Sequence, residues 1–316
     1  MRTSPPVPRT LLALCALIGL LAALAATTGM LWQGTDAESA PTVTSVRGQT
    51  VQLVGEGLYR YDSLLAGAGF RGVDVVVLGI GLPLLAVSAW LAGRESLRGR
   101  LLLVGTLGFF LYQYASMALG AAYNELFLVY IVLFSASLFA FVLACAAIDR
   151  DQLASAISPR FPRRAIATFL FIVAGGLGVL WGGPVVAGLL AGTAPDRLDT
   201  YTTFMTHVLD LGVIAPAAVL GGVLVLRQSA TGVLLAAAVL VVTFLIGPAL
   251  VAMTISQLAA GVRFTPAEVI GPVASFTILG LAGMVVGAVL LHHVDGSPIK
   301  SSVRGTAGAA DEALGA

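Results

Sequence analysis

Eight separate apolar runs decide what this chain can fold into: roughly Leu11–Trp32, Val73–Leu91, Leu101–Leu119, Leu126–Ile148, Ala165–Leu190, Thr206–Leu226, Val233–Gln257 and Val269–His292. Crossing the hydrocarbon core of a bilayer takes about 20 helical residues, and each run is of that order. No water is present at that depth to satisfy backbone N–H and C=O groups, so the runs must be helices. Composition agrees, at 58% hydrophobic and only 10% charged residues, where soluble domains carry about 25% charged. The expected fold class is an all-α polytopic membrane protein, with the lipid bilayer as its first partner.

The first run has Arg2 and Arg9 ahead of it, and Ala23–Ala25 resembles a signal-peptide cleavage site. Its apolar character continues through Trp32, a length suited to an uncleaved span. With the N-terminus in the cytoplasm, eight spans return the C-terminus there. The cytoplasmic segments then hold Arg2, Arg9, Arg94, Arg98, Arg100, Arg150, Arg160, Arg163, Arg164, Arg227, Lys300 and Arg304. Arg47, Arg60, Arg71, Arg197 and Arg263 fall outside. That excess of inner positive charge sets an N-in, C-in orientation. The charges serve topology, so nucleic acid is not an expected partner. Cys15 and Cys145 lie inside apolar runs and read as small buried side chains.

The expected domain organisation is a first four-helix repeat over 1–148, including an outer loop at 33–72; a cytoplasmic linker over 149–164; a second four-helix repeat over 165–293; and a disordered tail over 294–316. Within the outer loop, alternation on both sides of Arg47-Gly48 suggests a short β-hairpin. The repeat is read from weak matches in the same order. "GMLWQG" (29–34) and "GVLWGG" (178–183) close two apolar runs, with Trp32 and Trp181 as interface anchors. Arg71 stands three before Asp74, and His207 three before Asp210, with Pro83 or Pro216 further on. The third runs open "RGRLLLVG" and "TGVLLAAA"; the fourth carry "FSASLFAFV" and "FTILGLAGMV". Four spans per half is an even number, so the halves are expected to run parallel, related by a pseudo-two-fold axis along the membrane normal.

Ionisable side chains inside spans are costly and mark candidate sites. Asp74, His207 and Asp210 are the leading candidates for binding a solute or ion. Arg71, Gln113, Tyr114, Asn124, Glu125 and Glu268 stand at the same outer level. Glu125 and Glu268 also suit the positive ends of helix dipoles. Gly175, Gly176 and Gly178 read as helix-packing residues. There is no GxSxG, HExxH or CxxC motif, so no catalytic residue, cofactor or resident metal is assigned, although Asp74, His207 and Asp210 together would make a mixed carboxylate–imidazole cation site.

The leading functional reading is a transporter or permease-like protein with an outward-facing polar site for a cation, proton or small solute. Its alternatives are a membrane-embedded enzyme acting on a lipid-linked substrate at the outer leaflet, with His207 as base, and a non-catalytic accessory or sensor subunit of the envelope. Association with a second copy or with a membrane partner protein is compatible with each. The Arg-over-Lys, Ala- and Gly-rich usage points to the plasma membrane of a GC-rich bacterium.

Overall fold

The protein, seen here as a computed structural model, is described over residues 7–32, 40–195 and 197–295. Eight helices are long and apolar enough to cross a membrane: α1 (Arg9–Leu31), α2 (Leu64–Gly93), α3 (Leu97–Gly120), α4 (Phe127–Ala146), α5 (Arg163–Ala191), α6 (Met205–Leu226), α7 (Ala230–Ala259) and α8 (Pro266–His292). The chain is an integral membrane protein of the all-α class. A short helix, Arg150–Ala156, joins α4 to α5 and is capped by Asp149, whose Oδ1 accepts from the N–H groups of Asp151 and Gln152. Between α1 and α2, β1 (Thr42–Thr44) pairs antiparallel with β2 (Thr50–Gln52) in the register Val43 to Val51. These features mark the two ends of the bundle, the hairpin end and the linker end. The tail expected to be disordered lies outside the described residues from 296 onward.

Two helices form the middle. In their most apolar windows α3 and α7 are 72% and 67% buried, whereas none of the other six exceeds 33%. Their contact is close: a Cβ on Gly105 would stand 2.5 Å from the Cβ of Val241. Around this pair each group of four helices closes a ring. α1 packs on α2 and α4, α2 on α3, and α3 on α4; likewise α5 packs on α6 and α8, α6 on α7, and α7 on α8. The groups meet where α7 contacts α2 and α3, and where α3 contacts α6.

One shift along the chain carries a series of local features onto one another. The turn after α2 has Glu95 at φ 61°, and the turn after α6 has Gln228 at φ 60°. Ser96 N–H then donates to the Leu91 carbonyl, as Ser229 N–H does to that of Leu224. Gly99 and Gly232 each lie against the backbone of the preceding helix, at Leu91–Ala92 and Leu224–Val225. The same shift takes the π-helical turn Val77–Gly81 onto Asp210–Ile214, and Pro83 onto Pro216. It also exchanges a contact across the middle, since Gly72 packs on Met253 while Met205 packs on Gly120.

This shift corrects the expected pairing of Asp74 with Asp210 and of Arg71 with His207. It brings Asp74 onto His207 and Val77 onto Asp210, so the acids stand nearly one helical turn out of register. The unequal spacing from acid to proline in the two halves was the trace of that offset.

Each π turn stands just before a proline. A proline ring clashes with the carbonyl four residues earlier and leaves it without a donor. For Pro83, Pro184 and Pro216 that carbonyl belongs to Gly79, Leu180 and Gly212, each inside a π-helical turn. Widening by one residue lets the helix pass the proline unbroken. Accordingly α5 runs through Pro184 to Ala191, so Trp181 stands inside a helix rather than at its end. Trp32, by contrast, is the C-cap of α1.

Two further expectations are corrected. α2 starts at Leu64, within the segment assigned to the loop, with the Ser63 side chain accepting from Ala66 N–H. Its glycines disguised it, but Gly69 and Gly72 are where α2 meets α7, against Gln257 and Ala252–Met253. Gly175, Gly176 and Gly178 are not packing positions; a Cβ on any of them would meet nothing within 4 Å.

A Cβ on Gly72 would fall 2.4 Å from the Ala252 carbonyl oxygen, and backbone cannot yield cheaply. Gly72→Ala is therefore expected to destabilise the detergent-solubilised protein by about 1–3 kcal/mol. Gly19→Ala, where a Cβ meets nothing, should leave thermal stability unchanged or raise it slightly. Parallel melting curves check the pair.

Candidate functional site

The two buried acids occupy different surroundings. The longer α2 places Asp74 about three turns from the helix start, well inside the span. It is 7% exposed, and its Oδ2 accepts a 2.8 Å hydrogen bond from the hydroxyl of Tyr59, itself buried. Against them lies Gly29, where a Cβ would stand 2.1 Å from that same oxygen. The first glycine of "GMLWQG" thus makes room for the carboxylate. Arg71 acts on Asp74 and Tyr59 through charge without a direct ion pair. Tyr114 of α3 and Tyr130 of α4 complete this pocket, and Tyr130 also approaches Asn124.

Asp210 opens the π turn of α6 and is 3% exposed. The Trp181 indole N–H donates to its Oδ2 at 2.7 Å, and Tyr112 of α3 approaches the same carboxylate. Its Oδ1 is buried with no hydrogen-bond partner among the described residues. The His207 imidazole lies between aromatic rings, 4.3 Å from Trp181 and 4.4 Å from Phe204 by centroid, and Phe276 of α8 stands 6.0 Å from Trp181. His207 Nδ1 pairs with the hydroxyl of Thr206 at 3.4 Å rather than with Asp210. Asp210 is therefore reached from α3, α5 and α6, with α8 behind its indole partner.

The remaining candidates separate from these two centres. Glu125 pairs with Arg60 near the surface, and that guanidinium holds its carboxyl below the usual range. Glu268 caps α8, exchanging hydrogen bonds with Thr265 and accepting from Arg197 at 2.8 Å. Asn124 Oδ1 accepts from Leu126 N–H ahead of α4, and Gln113 is buried on α3. Among the described residues, no three His, Cys, Asp or Glu side chains assemble a metal site. The mixed grouping of Asp74, His207 and Asp210 is thus not formed.

A third buried acid lies in a stretch that gave no functional signal. Asp62, just before α2, is 1% exposed. Its Oδ1 accepts from Ala122 N–H at 2.8 Å and from the Tyr201 hydroxyl at 2.7 Å, while Oδ2 is buried without a partner. One Arg47 nitrogen donates to the carbonyls of Asp199 and Tyr201, at 2.8 Å each. These bonds tie the hairpin loop to the α3–α4 and α5–α6 connections, closing a cap over the hairpin end. The readable trace was "YDS": an acid and a hydroxyl beside a helix start, marking only a cap.

No protein family, curated protein or solved structure matches this chain.

Burial pushes the Asp62 carboxyl up from 3.8 to about 6. Folded Asp62 thus binds its proton more tightly than unfolded Asp62. Its contribution to stability is greatest below about pH 4 and falls as pH rises through 6. Relative to Asp62→Asn, the wild type should lose up to about 3 kcal/mol between pH 4 and 7, at about 1.4 kcal/mol per pKa unit. Melting curves of both proteins across that range check the slope.

Proposed function

We propose a permease-like protein of the plasma membrane, built of two parallel four-helix repeats with both termini in the cytoplasm, that binds a cation or proton at Asp210. The repeat reading is supported by the matching rings of four helices and by the shift that takes one α2–α7 contact onto an α3–α6 contact. The orientation rests on the distribution of Arg and Lys. It puts the hairpin end outside.

The observation carrying the functional reading is the bare Oδ1 of Asp210, buried at the start of a π-helical turn. A carboxylate at that depth is strongly disfavoured unless compensated. One indole N–H and a nearby phenol leave half of its accepting capacity unused, which a proton or small cation would take up. π-helical turns often accompany functional positions because the widened turn breaks the regular hydrogen-bond ladder. Asp74 fits a supporting role, since a tyrosine hydroxyl already occupies it.

Protein reconstituted into liposomes with a trapped pH indicator should dissipate an imposed pH or cation gradient. Asp210→Asn should lower that flux at least tenfold, and Asp74→Asn less. Flux at the level of empty liposomes for the wild type, under proton, sodium and potassium gradients alike, would defeat the reading and favour an accessory role.

A further inference from the structure

Above Asp74 the first half holds a further set of buried polar groups whose bonding is incomplete. Asp62, Asn124 and Tyr130 are 1%, 5% and 2% exposed. They come from three segments: the loop before α2, the α3–α4 connection and the first turn of α4. Ala122 N–H, two residues before Asn124, donates to Asp62 Oδ1 and so draws the connection onto the loop. Tyr130 approaches Asn124 and stands within range of the charges of Asp62 and Asp74. Yet Asp62 Oδ2, Asn124 Nδ2 and Tyr130 Oη are each buried without a hydrogen-bond partner among the described residues. Leaving such groups unsatisfied costs roughly 1–3 kcal/mol apiece.

The chemistry of the three atoms selects their common partner. Asn124 Oδ1 is committed to Leu126 N–H, so its amide offers the others a donor. A donor beside the carboxylate does not suit a cation. A water molecule suits all three, since it accepts from Asn124 Nδ2, donates to Asp62 Oδ2 and takes either role toward the Tyr130 hydroxyl. From Tyr130 the polar file continues inward. Tyr130 also approaches Tyr59, whose hydroxyl donates to Asp74 Oδ2 at 2.8 Å. Gly29 keeps that junction open, because a Cβ there would stand 2.7 Å from the Tyr59 hydroxyl. From Leu64, at the start of α2, to Asp74 is roughly 15 Å along the helix, too far for a proton to pass without intermediate oxygens.

We propose that these groups form a proton path from Asp62 at the hairpin end to Asp74, running through one bound water, Tyr130 and Tyr59. A proton on Asp62 Oδ2 passes to the water, which gives one of its own to Tyr130 Oη. The Tyr130 proton moves to Tyr59 Oη, and the Tyr59 proton to Asp74 Oδ2. Each O–H bond broken along the file is matched by one formed, so Asp62 loses a proton and Asp74 gains one. Asn124 can only donate through its free nitrogen, so it holds the water and stays off the path. Asp62 meets the surface through the partly exposed Tyr201, whose hydroxyl bonds its other oxygen. Burial lifts the Asp62 carboxyl to about 6, which lets it take up and release a proton near neutral pH. The path ends at Asp74 rather than Asp210, and it holds whichever ion Asp210 takes.

Infrared spectroscopy of the full chain in liposomes, mixed rapidly from H2O into D2O, reads the proton at Asp74. The carboxylic C=O band of protonated Asp74, identified as the band missing from Asp74→Asn, shifts when that proton becomes a deuteron. In the wild type it should shift before the buried amides of α3 exchange. Tyr130→Phe keeps the ring and breaks no hydrogen bond of Asp74, yet it should slow the shift at least tenfold, as should Asp62→Asn. Tyr59→Phe serves as a second break should Tyr130→Phe not elute as a folded species. Tyr61→Phe, at an exposed ring beside Asp62, should leave the rate unchanged. A shift as fast in the folded break variants as in the wild type would overturn the path. So would wild-type exchange no faster than that of the α3 amides, or the lack of a protonated Asp74 band at every pH the protein tolerates. None of these results bears on the flux test of Asp210.

Discussion

The close approach of α3 and α7 is the contact on which the rest of the bundle depends. Lipid tails are as apolar as leucine, so spans gain nothing by hiding apolar surface from one another, and association has to come from packing. Small residues let backbones approach, and here they are placed for that. Gly105 of α3 faces Val241 of α7, and Gly247 of α7 in turn faces Gly280 of α8. The other helices lean on this pair or, as α1 does through α2 and α4, on helices that touch it, and they turn much of their surface to lipid, which is why Leu20, Val179 and Leu190 are left exposed. Exposure that would be a liability in water is here the solvent-facing surface.

Polarity is distributed just as unevenly. Asp62, Asp74 and Asp210 belong to the half of the bundle at the hairpin end, and each is met by a hydroxyl or indole hydrogen from a different segment. Tyr59 comes from the loop before α2, Trp181 from the π turn of α5, and Tyr201 from the connection before α6. Each acid therefore fixes the position of an element that the apolar packing alone would leave free to slide.

The spans and their class were legible because length and hydropathy reflect the bilayer directly. What misled was local. Gly67, Gly69 and Gly72 made the start of α2 look like loop, when they are the price of close packing against Val54 and α7. The acid and proline in α2 and α6 were both visible, yet only backbone geometry showed that proline and π turn set the register and that the acid had moved. Asp74 and Asp210 were found because charge within an apolar run cannot be overlooked. Asp62 was missed because its burial comes from Ala122 and Tyr201, distant partners that no local pattern announces.

Both ends of the bundle are laced across the halves. At the hairpin end Arg47 and Asp62 reach the α5–α6 connection, and Gln257 Nε2 donates to the Leu65 carbonyl at 2.8 Å. At the linker end Arg98 of α3 holds the Val294 carbonyl just past α8. Swinging one half as a rigid block against the other would have to undo one set of these ties. The π turns of α5 and α6 are themselves joined, since Trp181 of one donates to Asp210 of the other. Rewinding either helix at its π turn would give up that indole–carboxylate bond, which couples the backbone of α6 at Asp210 to that of α5.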